Sequence, residues 1–274
     1  QYLAPGQAVA LRVSASKSRL YHTGAIAERV LGAIGDRLGE PPVEADFDER
    51  AGAVPQLVLV RFFKDGCTIS VDSSGASLHR RGYRQETARA PLRETLAAGM
   101  LLAAGWDGRS PLLDPFCGSG TIPIEAAMLA RRVPPGGERR FAFMDWPGFD
   151  RALWERLLAE AEAGVRAETP VIQGSDRDAG AVEISQANAG RAGQADFIDF
   201  SRRAISSIEP PPGPGWVVTN PPYGVRVSAN KDLRNLYAQF GNALREKCPG
   251  WGVAFLSNDE RLIRATGLEL DQTI

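Results

Sequence analysis

Apolar positions keep one rhythm up to about residue 75 and another from Pro91 on. In the first stretch Val9, Leu11 and Val13 alternate with other residues, which predicts a strand. Ile26, Val30, Ile34 and Leu38 recur at helical spacing, and Gly39 with Pro41-Pro42 closes that helix. Leu57–Phe63 and Thr68–Val71 read as two strands joined by the turn Lys64-Asp65-Gly66. Short mixed strands with one helix predict a small α+β module over residues 1–75. From Pro91 onward short apolar runs alternate with helical stretches, the pattern of a mainly parallel sheet with helices on both faces. Strands are predicted near Leu112–Asp114, Val171–Gly174, Phe197–Phe200, Trp216–Thr219 and Gly252–Leu256, with a sixth beginning at Leu268–Asp271. A long crossover, Arg131 to Pro170, carries Phe141, Phe143, Trp146 and Phe149 and then a helix over Arg151–Ala163. Its aromatics are expected to pack rather than to stack on bases.

Composition changes this picture little. The 274 residues suffice for one large or two modest domains. No apolar run is long enough for a membrane span, and no signal pattern opens the chain. Cys67, Cys117 and Cys248 have no metal-like spacing, so neither a zinc site nor a disulfide framework is implied, and a reduced, cytoplasmic setting is expected. A net charge of −1 argues against a protein that coats nucleic acid but leaves room for a local patch. One candidate is the basic segment 76–90, where Arg80, Arg81, Arg84 and Arg89 surround Tyr83; it reads as a solvated linker or as an RNA or cofactor contact.

Three motifs carry chemistry. Leu112-Leu113-Asp114-Pro115-Phe116-Cys117-Gly118-Ser119-Gly120-Thr121 reads as strand, tight turn and helix start. Its glycines let backbone approach a ligand, and the helix start offers free N–H groups. Pro123 stands where a dinucleotide fingerprint needs its third glycine, so NAD is not expected. Cys117 in the turn reads as a small filler. Val171 to Asp176 is a strand ending in an acid, placed to accept ribose hydroxyls, and the helical segment after it puts Ala181, Ile184, Ser185 and Asn188 on one side. Asn220-Pro221-Pro222-Tyr223 ends an apolar strand in a rigid bend. The Asn220 side-chain oxygen and the Pro221 carbonyl can accept two N–H groups, and the Tyr223 ring can stack on a planar substrate. His22 and His79 have no catalytic spacing and read as structural.

The strings DPFCGSGTIPIEAA, GSDRD and NPPYG resemble motifs of the class I S-adenosylmethionine-dependent methyltransferases, in the form that methylates exocyclic or amide nitrogens. SLHRRGYR at 77–84 with APLRETLAA at 90–98 is similar to the junction in THUMP-domain RNA methylases, especially bacterial 23S ribosomal RNA guanine-N2 methyltransferases. The resemblance implies a THUMP-like RNA-binding domain at 1–75, a basic linker at 76–90, and a Rossmann-like methyltransferase domain at 91–274. It implies a missing earlier ferredoxin-like segment and a missing last strand, so that the chain reads as a fragment. Cofactor-binding candidates are Asp114, Phe116, Cys117, Gly118, Ser119, Gly120, Thr121, Asp176, Arg177 and Asn220, with Thr95 on the preceding helix. Adenine contacts are expected near Arg203-Ala204, where the family's usual acid is not evident. Catalytic candidates are Asn220, Pro221, Pro222 and Tyr223, and RNA-binding candidates Arg80, Arg81 and Arg84. S-adenosyl-L-methionine is the implied cofactor and ribosomal RNA the implied partner, with no metal and no membrane. The resemblance leaves tRNA guanine, DNA adenine N6 and protein glutamine N5 open as targets, and beside them a non-catalytic RNA-binding protein with a vestigial cofactor fold. It is silent on oligomeric state.

Overall fold

The computed structural model describes residues 2–49, 54–85, 92–223 and 230–270. Contacts divide the chain into two units, one of residues 1–78 with 136–159, the other of residues 79–135 with 160–274. A single linear break at 76–90 was expected. Instead the middle of the long crossover belongs to the first unit, and residues from His79 belong to the second.

In the first unit, strands β1 (Ala8–Ser16), β2 (Val43–Glu44), β3 (Gln56–Phe63) and β4 (Gly66–Val71) form one sheet in the order β2-β1-β3-β4. Only β4 runs antiparallel to its neighbour. Helix α1 (Thr23–Leu38) starts on a cap in which His22 Nδ1 accepts the Ala25 N–H at 3.2 Å. It ends on left-handed Gly39. Ile26 joins Val9, Val58 and Val60 in the core, as the helical and alternating patterns require. The β3–β4 hairpin turns through Lys64 and Asp65, both at positive φ (50° and 61°), where such turns favour Asn-Gly. Phe141, Phe143, Trp146 and Trp154 pack ring on ring, and the Trp146 Nε1–H donates to Gln56 Oε1 at 2.7 Å. The crossover aromatics therefore pack on one another as a half-buried ring cluster in this unit.

The second unit holds a five-stranded parallel sheet in the order β7-β6-β5-β8-β9: β5 (Leu112–Asp114), β6 (Ile172–Asp176), β7 (Asp199–Arg202), β8 (Trp216–Thr219) and β9 (Gly252–Phe255). Its helices are α2 (Glu94–Ala103), α3 (Thr121–Arg131), α5 (Ala179–Arg191), α6 (Asn230–Lys247) and α7 (Glu260–Ala265); α4 (Arg151–Ala163) carries the chain between the units. Strand order reverses between β5 and β8, so the crevice beyond their carboxyl ends is where a ligand is held in such sheets. The five predicted strands are all present, shifted by up to two residues. The sixth is not: Leu268–Leu270 form no ladder, and Leu268 packs on the cluster of Val217, Phe240 and Cys248. Asp271 lies outside the described residues.

Candidate active site at the carboxyl ends of the central strands

The site begins with Asp114, the last residue of β5 and 1% exposed. Its Oδ1 accepts the Thr219 hydroxyl at 2.5 Å and the Phe116 N–H at 3.2 Å. Burial pushes this carboxyl up to about 7 against those two hydrogen bonds, and nearby Asp176 adds to the rise. Thr219 ends β8, so the bond ties the first motif to the residue just before Asn220.

The turn after Asp114 is held from outside by α5. Asn188, fully buried, donates from Nδ2 to the Ser119 carbonyl at 3.0 Å and accepts from Arg191 at 2.5 Å. The Ser185 hydroxyl lies 2.8 Å from the Gly118 carbonyl, and the Cys117 N–H donates to Ser175 O of β6 at 3.0 Å. Gly118 and Gly120 both sit at positive φ. They do different work. A Cβ on Gly120 would meet Ser185 and the Phe200 ring at 3.0–3.1 Å, whereas one on Gly118 would point into open space. Gly120 lets α5 and β7 close in; Gly118 leaves room for a ligand. Pro123 and Gly174 exchange the usual arrangement: a Cβ on strand residue Gly174 would meet Phe200 at 2.6 Å and the Pro123 ring at 3.2 Å. Close packing of helix and strand is secured by a glycine on the strand.

Three adjacent strands end in buried polar atoms that lack a hydrogen-bond partner among the described residues: Ser175 Oγ on β6, Asp114 Oδ2 on β5 and Asn220 Oδ1 just past β8. Each such atom costs about 1–3 kcal/mol, so three at one sheet edge point to a ligand that supplies the missing bonds. Beside them Asp176 accepts the Gly118 N–H on Oδ2 at 3.2 Å and the Asp178 N–H on Oδ1 at 3.0 Å, and each oxygen keeps a second lone pair. Ser175 was not anticipated from sequence; nothing distinguishes its hydroxyl from other strand serines. Asn188 and Ser185 were visible only as polar residues on an otherwise apolar helix face.

The other sequence candidates divide. Ser119 and Thr121 are buried, with their hydroxyls 3.4 Å apart at the start of α3. The Phe116 ring packs edge-on against Phe240, so a ligand would meet the backbone there. Cys117 is buried, its thiol pushed well above the usual range by burial, as a filler should be. Arg177 and Thr95 are exposed. Pro221 is buried and Pro222 half-buried beside Asn220. Tyr223 is half-buried and packs on the cluster of Leu233, Tyr237 and Leu262; residues 224–229 after it lie outside the described ones. Arg203 donates its backbone N–H to Asp176 O and pairs with Glu209 at 2.7 Å.

The junction arginines need correction. Arg81 Nε lies 2.9 Å from Glu125 Oε1, a charge contact whose angle falls short of a hydrogen bond. The Tyr83 hydroxyl donates to the same oxygen at 3.0 Å. Arg84 pairs with Glu94 at 3.1 Å and donates to Leu92 O at 2.5 Å. All four charged side chains are nearly buried, and Tyr83 is 4% exposed. Arg81 and Arg84 are therefore structural cations with internal partners, and Tyr83 offers no face to a base. Of the three RNA candidates only Arg80 is exposed, and Arg89 lies outside the described residues.

Among the described residues no group of three or more His, Cys, Asp or Glu could hold a metal, and no helix is long and apolar enough to cross a membrane. A parallel α/β sheet with an acid-ended glycine turn, a second acid one strand over and an Asn-Pro-Pro-Tyr bend defines a class I methyltransferase site. The chain belongs to the family of RMKL-like methyltransferase domains, whose model matches residues 81–273. It is 44% identical over 217 residues to the ribosomal RNA large subunit methyltransferase K/L of Shewanella sp. strain MR-4, covering 77% of this chain and 30% of that protein. With the same enzyme of Shewanella sp. strain W3-18-1 it shares 43% over 251 residues, 89% of this chain and 35% of that one. The chain thus spans about a third of the length of these curated relatives. Its fold matches the crystal structure described as SMU.472, a putative methyltransferase complexed with SAH (TM-score 0.86, 29% identity, 99% of this chain, 72% of that one). It also matches a predicted N6-adenine-specific DNA methylase from Listeria monocytogenes (TM-score 0.85, 32% identity, 99% and 71%).

Proposed function

We propose that the chain methylates the exocyclic N2 of a guanine in ribosomal RNA, with S-adenosyl-L-methionine as methyl donor. The observation that carries this is Asn220 Oδ1, buried without a hydrogen-bond partner among the described residues, at the sheet's carboxyl edge beside the rigid Pro221-Pro222 bend. An acceptor left empty there suits an N–H of a substrate amine. The curated relatives named as ribosomal RNA large subunit methyltransferases favour RNA as substrate.

The residues fit the donor. Asp176 has lone pairs free for ribose hydroxyls, and the open side of Gly118 admits the ligand to the turn. The orphaned Asp114 Oδ2 suits the methionine ammonium. S-adenosylmethionine supplies a methyl already activated on a sulfonium. What the chain must add is alignment. Asn220 Oδ1 and the Pro221 carbonyl hold the two amine hydrogens and favour a pyramidal nitrogen, whose lone pair then faces the methyl carbon. When bound, the cofactor would give its methyl to the amine nitrogen and leave as a neutral thioether, and the cationic amine would release one proton to solvent. No strong base is required. Tyr223 stacks on the extruded base.

Single-turnover reactions with labelled cofactor and large-subunit ribosomal RNA, followed by nucleoside mass analysis, test the reading. N2-methylguanosine is expected. N6-methyladenosine would move the chain to the chemistry for which the Listeria neighbour is named, and label on tRNA alone would move it to a tRNA substrate. Calorimetry that finds no S-adenosylhomocysteine binding would leave a non-catalytic protein with a vestigial fold.

A further inference from the structure

A further buried polar atom without a hydrogen-bond partner among the described residues lies near the same end of the sheet: Tyr237 Oη on α6. Its ring meets Phe255, the last residue of β9, edge-on with centroids 6.4 Å apart. With Leu233 and Leu262 it forms the cluster on which Tyr223 packs. We infer that Tyr237 binds substrate: its hydroxyl donates a hydrogen bond to the edge of the extruded base whose amine Asn220 holds. This rests on the methyl-transfer reading above.

The ring by itself accounts for a packing residue, and the hydroxyl is what needs a partner. Tyr237 is fully buried, so bulk water does not reach it. Phenylalanine in the same place would avoid the cost of an unmade hydrogen bond. Burial pushes the phenol above its ordinary pKa. Ser257, just past β9, offsets part of that rise short of a formed hydrogen bond, and Tyr223 and Asp259 add to it. The group therefore stays protonated at neutral pH and can donate. Ser257 and Asp259 are occupied with the start of α7. Ser257 Oγ accepts the Asp259 N–H at 3.3 Å, and Asp259 Oδ1 accepts the N–H groups of Arg261 and Leu262 at 2.9 and 3.4 Å.

Sheet order puts this hydroxyl on the substrate side. Along the strand ends run Asp176 on β6, assigned to the ribose, Asp114 on β5, assigned to the ammonium, and Asn220 past β8, assigned to the amine; β9 comes next. In-line transfer sets the base on the far side of the amine from the methyl donor. The base then lies over the ends of β8 and β9, where Tyr223 supplies a ring face and Tyr237 a donor. Guanine carries acceptors for such a donor, O6 and N7, on the same ring system as the reacting N2. A hydrogen bond made only to the extruded base holds it out of the helix.

Tyr237→Phe removes the hydroxyl and keeps the ring contacts. Single-turnover methylation of large-subunit ribosomal RNA by the whole chain should slow about tenfold at saturating RNA. The RNA concentration for half-maximal rate and the S-adenosylhomocysteine affinity should stay near wild type, because the contact forms after RNA has bound. The melting temperature should equal or exceed the wild-type value, since an unsatisfied hydroxyl leaves the core. A structural hydroxyl predicts the reverse, a lower melting temperature with an unchanged rate per folded molecule. A wild-type rate in Tyr237→Phe overturns the assignment, and so does a melting temperature several degrees lower. Tyr237→Phe should slow the reaction as much in a Ser257→Ala background; loss of its effect there would make Ser257 the hydroxyl's partner and overturn the assignment too. If the wild type transfers no methyl group, the methyltransferase reading fails and this inference with it. Full rate in Tyr237→Phe beside a slow Asn220→Ala removes Tyr237 alone from the site.

Discussion

Two buried polar regions of the second unit look alike in composition and opposite in state. Behind α3, Arg81, Glu125, Tyr83, Arg84 and Glu94 are closed in by one another, each charge within 3.1 Å of its opposite. At the carboxyl ends of β6, β5 and β8, Ser175 Oγ, Asp114 Oδ2 and Asn220 Oδ1 are also buried and have no hydrogen-bond partner among the described residues. Folding must desolvate both sets. In the first the compensation is internal, so the residues define how the junction packs. In the second it is missing among the described residues, and a bound ligand would supply it. The difference is one of charge pairing: Arg81 Nε and Glu94 Oε2 also lack a hydrogen bond, but each lies within 3.1 Å of an opposite charge, whereas Ser175 Oγ, Asp114 Oδ2 and Asn220 Oδ1 have no such neighbour among the described residues.

The largest effect expected from breaking that contrast is at the closed cluster. Arg81→Ala leaves Glu125 buried without its cation, and burial already pushes the Glu125 carboxyl upward. A loss of about 3–5 kcal/mol in urea unfolding is expected, with S-adenosylhomocysteine affinity retained by the folded fraction. Next comes Asn220→Ala, which should lower the single-turnover methylation rate roughly 10²–10³-fold at nearly unchanged cofactor affinity. Tyr223→Phe should be mild and Tyr223→Ala costly, by about 1–3 kcal/mol of lost stacking. Equal rates in Asn220→Ala and wild type would remove the empty acceptor from the mechanism. Asp176→Ala should weaken S-adenosylhomocysteine by about 1–3 kcal/mol in calorimetry. An unchanged Kd there would mean that the ribose is held elsewhere.

The contrast also explains what sequence could show. Strands β5 and β8 begin as short apolar runs because central parallel strands are buried on both faces. The glycine turn and the Asn-Pro-Pro-Tyr bend are readable because they demand rare backbone: positive φ at Gly118 and Gly120, and two fixed prolines. The junction is opaque in the sequence because its meaning is non-local. A run of arginines looks solvated until Glu125, forty-two residues beyond Tyr83, is folded against it. Likewise the crossover gave no sign that residues 136–159 pack with the first unit, since aromatic residues show that a core exists but not which one. Leu268–Leu270 had the apolar content of a strand, but its leucine instead fills the gap beside Phe240.

Asp114 provides the finest test, because it belongs to both regimes. One oxygen is satisfied by Thr219 and Phe116, the other is empty, and the carboxyl stands at about 7. An acid whose folded pKa is raised binds its proton more tightly when folded than unfolded. Its contribution to stability is therefore full below the unfolded value of about 4 and is lost as pH rises through about 7. Without ligand, the wild type should lose stability over that window relative to Asp114→Asn, which cannot ionise. A ligand ammonium against Oδ2 favours the carboxylate and reverses the trend. S-adenosylhomocysteine should then bind about fivefold tighter at pH 7 than at pH 6 and level off above the carboxyl's pKa. Thermal shifts on adding it should grow over the same interval. In Asp114→Asn both pH dependences should flatten. A wild-type Kd constant from pH 6 to 8 would place the ammonium away from Asp114 and leave that empty oxygen without a ligand.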